Sequence, residues 1–227
     1  MLVLLTIGCF RSSVRPYEGV VLPPFNDGLT KGPMAVVPVR LPDDLEAPDE
    51  VADAIDSLVA ATLVDAGISI VPSARYSAIW QRLVEEAGGF YDPFTGRRDE
   101  TKYDSAVTTL YRELDSLHAP TAWVYPEVWI VEAEVANGVA HWDGVAQRAG
   151  GAWFTTILAL TFEVSVEDTS GVAIFKNGKG LELYERVDAQ GDIEPMPRGL
   201  MFQNAARLSL VVRDVLGPLV ALADTTS

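Results

Sequence analysis

Cysteine, histidine, basic charge and long apolar runs are all scarce in this chain, and each scarcity removes a class of function. Cys9 is the sole cysteine of 227 residues, which excludes internal disulfides and cysteine-rich zinc sites. The only histidines are His118 and His141, too few for a metal site of three or four ligands without carboxylate help. Lysine and arginine total 17 against 32 acids, a formal charge of −15, and no basic run interrupts the acidic field. Phosphate backbones are held mainly by Lys and Arg, so nucleic-acid binding is not expected, nor is electrostatic docking on anionic lipid. No stretch approaches the ~18 apolar residues of a membrane-spanning helix. There is no Gly-x-Ser-x-Gly nucleophile elbow, and Asn177-Gly178-Lys179-Gly180 is too short for a phosphate loop and reads as a turn. No residues are nominated as catalytic, as metal ligands or as cofactor ligands.

What is present begins at the N-terminus. Residues 1–7 are apolar apart from Thr6 and run into Gly8-Cys9, a truncated signal-like segment over 1–8. Residues 9–33 carry Arg11, Arg15, Pro16, Pro23, Pro24, Gly28, Gly32 and Pro33, the composition of a tether. Residues 34–227 read as one α/β domain. Apolar residues make up 48% of the chain, and a chain of this size can bury roughly 70% of its unfolded surface.

Met34–Val39 reads as a first strand. Pro48-Asp49-Glu50 then opens a helix whose stripe is Val51, Ile55, Leu58, Val59, Thr62 and Leu63, closed by Gly67. Ile68–Val71 is a second short strand, and Ser73 caps a second helix with Tyr76, Ile79, Trp80 and Leu83 on one face. A long helix between two short strands implies parallel pairing through a right-handed crossover. A third helix starts near Glu100 and ends at His118-Ala119-Pro120. The period then falls to two. Trp123–Val135 and Val139–Gln147 flank the hairpin signal Asn137-Gly138. Leu158 to Val166 alternate as a half-buried strand, Asp168-Thr169-Ser170-Gly171 turns it, and Val172–Phe175 and Leu181–Val187 return. The last helix carries Leu208, Val212, Val215, Leu216 and Leu219, with a kink or early end at Gly217-Pro218. The expected order is β-α-β-α-α-β-β-β-β-α: an α/β (α+β) fold with a single mixed sheet and helices mainly on one face.

With Thr6-Ile7-Gly8-Cys9, the opening strand Ala35-Val36-Val37-Pro38-Val39, the helix Ala52–Ala66 running into Gly67-Ile68-Ser69-Ile70-Val71, and Trp123-Val124-Tyr125, the chain resembles a group of bacterial envelope lipoproteins. The group includes the curli-secretion lipoprotein, penicillin-binding-protein activators and the N-terminal domain of the translocation protein TolB. The resemblance implies a lipid (palmitate) on Cys9 and a periplasm-facing binding or assembly module with an envelope protein as partner. Phe10 after the cysteine resembles outer-membrane sorting. The alternatives are a periplasmic hydrolase with a carboxylate site and a subunit of a homo-oligomeric envelope complex.

The residues offering recognition chemistry lie in the loop at 88–99. Tyr91 and Phe94 flank the Asp92-Pro93 turn, and Arg97 and Arg98 follow on an otherwise acidic chain. Aromatics beside arginine are the types enriched at interface hot spots. The competing reading buries both aromatics to pin the third helix. His141 and Asp143 are two apart, so on a strand they would share a face, but a solvent-facing strand with an Asp-Gly turn explains them as well. Trp123, Trp129, Trp142 and Trp153 read as sheet packing rather than as a sugar platform.

Overall fold

The computed structural model describes residues 17, 20–21, 32–45, 47–48, 50–151 and 154–224. Cys9, the segment 1–8 and Trp153 lie outside them. In chain order the elements are β1 (Val20–Val21), β2 (Met34–Val36), α1 (Glu50–Asp65), β3 (Ile70–Val71), α2 (Ser73–Ala87), α3 (Glu100–His118), β4 (Ala122–Ala136), β5 (Val139–Trp142), β6 (Val145–Arg148), β7 (Thr155–Asp168), β8 (Ala173–Leu183), β9 (Glu185–Val187), β10 (Ile193–Pro195) and α4 (Ala205–Asp224).

The α/β class and the mixed sheet hold. Eight strands form the main sheet in the order β1-β8-β7-β4-β2-β3, with the β5–β6 hairpin continuing from β4, and β9–β10 make a separate small sheet. β2 is parallel to both β3 and β4, while β4, β7 and β8 are antiparallel. α1 therefore crosses between parallel strands, as its length requires.

Alternation along the strands divides the interior. Met34, Val36, Val124, Val128, Leu160, Phe162, Val164 and Val166 face one way and meet α1 and α4. Ala35, Val71 and Trp123 face the other way and meet Leu83, Leu110 and Leu114 of α2 and α3. Helices were expected mainly on one face; α1 and α4 do cover one face, and α2 and α3 add a cover at the β3–β2 end of the other. The reason lies in β2, where all three residues are buried, which needs partners on both sides. α1 buries Val51, Ile55, Val59 and Leu63, a strict i, i+4, i+8, i+12 stripe. Full burial of each is worth about 1.5–3 kcal/mol. Leu58 lies beside the stripe and is half-buried.

At the far end of the second face the sheet folds over itself. The β5–β6 hairpin bends until Asp143 O accepts from Gly180 N of β8 (2.9 Å), and Ala149 O accepts from Val187 N of β9 (2.8 Å). These bonds enclose Ala133, Val135, Ala140, Trp142, Ile157, Ala159, Leu183 and Val187 in a small core of their own.

Four local expectations need correction. Asn177-Gly178-Lys179-Gly180 is not a turn but the middle of β8, which runs unbroken from Ala173 to Leu183. Its glycines answer close packing: a Cβ on Gly178 would lie 2.8 Å from the Tyr17 ring, and one on Gly180 would lie 2.6 Å from Trp142 Nε1. β7 is not half-buried, because Thr161 and Glu163 on its supposed wet side are buried under the folded-over hairpin and Tyr17. α4 continues through Pro218 to Asp224. Within the segment read as a tether, Val20–Val21 pair with Phe175 and Lys176 of β8, so that stretch is docked.

Candidate functional site

The loop at 88–99 is built as a miniature hairpin. Gly88 takes a left-handed conformation to end α2, and Asp99 caps α3 by accepting from Lys102 N (3.1 Å). Between them Asp99 N donates to Phe90 O (2.7 Å) and Asp92 N to Arg97 O (2.9 Å). Asp92 Oδ1 accepts from Phe94 N (2.9 Å) and Thr95 N (2.8 Å), which closes the tip. The Thr95 and Phe94 amides hold the Asp92 carboxyl below the usual carboxylate range.

Only one aromatic of the loop packs inward. Phe90 is buried against Trp80 and Tyr103, with ring centroids 5.3 and 5.6 Å apart. Tyr91 is 64% exposed and Phe94 96%. Phe90 therefore pins α3, and the other two stand in solvent. The arginines also part company. Arg98 lies over the Tyr103 ring at 4.3 Å and pairs with Glu100 at 2.8 Å, while Arg97 is exposed with no ion pair among the described residues.

A second polar group, which sequence reasoning missed, lies in the middle of the sheet face between its two apolar covers. Glu163 of β7 is 7% exposed, ion-paired with Lys176 Nζ (2.9 Å) and hydrogen-bonded by the Tyr17 hydroxyl. Burial, then the Glu163 carboxylate, pushes the Tyr17 phenol well up. Glu127 stands directly opposite Glu163 in the β4–β7 register and pairs loosely with Arg40 at 3.8 Å. Burial raises the Glu127 carboxyl, and Arg40 opposes the rise. Thr161 Oγ1 donates to Asp143 Oδ2 at 2.5 Å. Glu163 is thus engaged by two donors and roofed over. The cleft of about 220 Å³ beside Glu127 and the one of about 440 Å³ beside Tyr17 and Asp143 both leave it out. The two glutamates share a sheet face but not a cavity, so this geometry does not assemble the paired-carboxylate site of a glycosidase.

The remaining sequence candidates separate. β5 ends at Trp142, which leaves Asp143 in the turn, where it serves Thr161 instead of sharing a strand face with His141. His118 is the last residue of α3. Among the described residues no three His, Cys, Asp or Glu side chains converge as a metal site. Trp123 and Trp142 are buried, whereas Trp129 is 43% exposed at the cleft beside Glu127. Among the described residues no helix is long and apolar enough to cross a membrane. The signal for the central group was thin: one glutamate in an apolar alternation, paired with a tyrosine 146 positions away.

No protein-family model matches the chain, and no curated protein does. Among solved structures the chain is similar to the PelC dodecamer of Paraburkholderia phytofirmans, at 14% identity and a TM-score of 0.40, over 89% of this chain and 95% of that one. At that distance the likeness assigns no family.

Proposed function

We propose that this chain is a non-catalytic binding or assembly module of the bacterial envelope, presenting Tyr91, Phe94 and Arg97 to a protein partner. One observation carries the reading. Two large aromatics, one of them 96% exposed, stand at the tip of a loop whose main chain is bonded to itself. Exposed aromatics held on a formed loop lose little freedom on binding and are the residue types on which interface energy concentrates. Arg97 supplies the polar rim, and Arg98 supports the loop from beneath through Tyr103 and Glu100.

The test is capture of partners from the native envelope by full-length protein, wild type against Tyr91→Ala/Phe94→Ala. The expected result is loss of the captured protein with an unchanged melting temperature, since neither ring is buried. Retained capture, or a large fall in melting temperature, would refute the proposal. If the captured protein is the chain itself, the module is a homo-oligomer subunit working through the same loop.

The envelope placement is a separate part of the proposal and rests on Thr6-Ile7-Gly8-Cys9. Labelled palmitate should enter the protein, with processing blocked by globomycin and labelling lost in Cys9→Ala. Label that persists in Cys9→Ala rules out the anchor and leaves the loop reading intact.

A further inference from the structure

β4 is the longest strand of the sheet, and among the described residues one of its edges is left open partway along. On the side away from β7, β2 and its continuation cover the first half. Val37 N donates to Val124 O (2.9 Å), Arg40 N to Pro126 O (3.0 Å), and Val128 N to Arg40 O (2.8 Å). The chain then departs through Leu41 and Pro42. β5 takes up the same edge only at Glu134–Ala136. Residues 129–133 have no strand partner on that side among the described residues.

Strand geometry identifies which groups face the opening. Residues 124, 126 and 128 direct their main-chain groups toward β2, so the two-residue period points the N–H and C=O of Ile130 and Glu132 out of the open edge. At about 3.3 Å per residue the opening is roughly 17 Å long, room for a short extended segment. The cleft of about 220 Å³ lined by Arg40, Asp43, Glu127, Trp129 and Ile130 adjoins its first half. Trp129, the most exposed tryptophan among the described residues, forms part of that wall.

Charge selects the occupant. Glu127, Asp43, Glu132 and Glu134 border the opening, with Arg40 as the cation beside them. Edge strands are commonly protected by charge, and here the protection has one dominant sign. It repels a second copy of this chain, whose net charge is −15 and whose own edge carries the same carboxylates. The same carboxylates admit a basic strand. Alternate side chains of an added strand would project over the sheet face that holds Trp129 and Glu127, where an ammonium or guanidinium meets an indole face and a carboxylate together. We propose that the edge of β4 from Trp129 to Ala133 binds an extended peptide segment with lysine or arginine at alternate positions, paired to the main chain of Ile130 and Glu132. This site is distinct from the loop at 88–99 and does not depend on it.

The test uses the full chain and a fluorescent pentapeptide alternating lysine and valine, followed by anisotropy. Two control peptides replace lysine by glutamate, or carry N-methyl groups on the edge-facing amides. In the protein, Glu132→Pro removes an outward N–H that takes no part in the β4–β7 ladder and places a ring in the opening. The lysine peptide should bind and the glutamate peptide should not. N-methylation and Glu132→Pro should each weaken binding by about tenfold or more, as expected for losing one or two main-chain bonds. Failure of the lysine peptide to bind overturns the proposal. So does an N-methylated peptide that binds like its parent, which would mean charge attraction alone. If Glu132→Pro lowers the melting temperature, the N-methylated peptide on wild-type protein decides by itself. If wild type self-associates in sedimentation and Glu132→Pro does not, the occupant is a second copy and the proposal falls.

Discussion

Gly180→Ala tests the folded-over hairpin with the smallest possible addition. Gly180 needs no left-handed backbone, so the effect of a methyl group there is steric. The new Cβ would lie 2.6 Å from Trp142 Nε1, 2.9 Å from Trp142 Cε2 and 2.9 Å from Val145 Cβ. None of these is the free end of a flexible chain. Trp142 is 5% exposed, and its Nε1 donates to Leu160 O at 3.0 Å. Relief must move the indole off Leu160 or lift the Asp143–Gly144 turn from Gly180 N. Overpacking of this kind costs about 1–3 kcal/mol, and leaving a buried hydrogen-bonding group unpaired adds about 1–3 kcal/mol. We expect Gly180→Ala to destabilise by about 2–6 kcal/mol. With a urea slope of about 2 kcal/mol/M, the midpoint should fall by about 1–3 M. Gly199→Ala, where an added Cβ has nothing within 4 Å, is the control. The cost should shrink by at least about 1 kcal/mol in a Trp142→Phe background, because the clash and the bond share one ring. A Gly180→Ala midpoint within about 0.2 M of wild type would show that the hairpin does not rest on β8 as described.

Two further outcomes follow from other parts of the fold. Ile55→Ala, at a fully buried position facing the sheet, should cost about 2–5 kcal/mol in urea unfolding, while Asp53→Ala on the exposed face of α1 should change little; equal effects would put the helix in the wrong phase. Glu182 has its carboxyl raised by burial, opposed by the Phe202 N–H and Arg207. The native state therefore holds the Glu182 proton in a window where the unfolded chain, near pKa 4.3, has lost it, and stability falls as pH rises through that window. Glu182→Gln, whose amide oxygen can still accept from Phe202 N, should gain on wild type as pH rises from about 4, and a difference independent of pH would contradict the assignment.

The helices and the long strands were legible because their information is local. A stripe at i, i+4 and i+8 marks α1, and Asn137-Gly138 marks the β4–β5 turn, whatever the rest of the chain does. Gly178 and Gly180 show where local reading fails. Two glycines around a lysine look like a turn, yet each is small because another part of the chain passes over it, Tyr17 at one and Trp142 at the other. Glu163 failed in the same way: alternation with apolar neighbours placed it on a wet face, and the roof over that face comes from a hairpin about 20 residues earlier and a tyrosine near the N-terminus. Tyr91, Phe94 and Arg97 stand out from composition alone, and what the sequence could not supply was their separation from Phe90, which is buried, and from Arg98, which is engaged by Tyr103 and Glu100.

Under the proposed lipidation of Cys9, the docking of Tyr17 on Gly178, with β1 alongside β8, limits how far the fold can stand from the anchor. A free tether from residue 9 to residue 33 could stretch to roughly 80 Å at about 3.3 Å per residue. With Tyr17 seated, only the span from Cys9 to Tyr17 would separate such an anchor from the fold, roughly 26 Å at the same rise per residue. A lipid on Cys9 would then keep the β8 edge of the sheet within one such length of the bilayer surface. Under that proposal the Tyr17–Glu163 contact would be the first restraint on reach and the β1–β8 pairing the next, so Tyr17→Ala would lengthen the leash only as far as Val20.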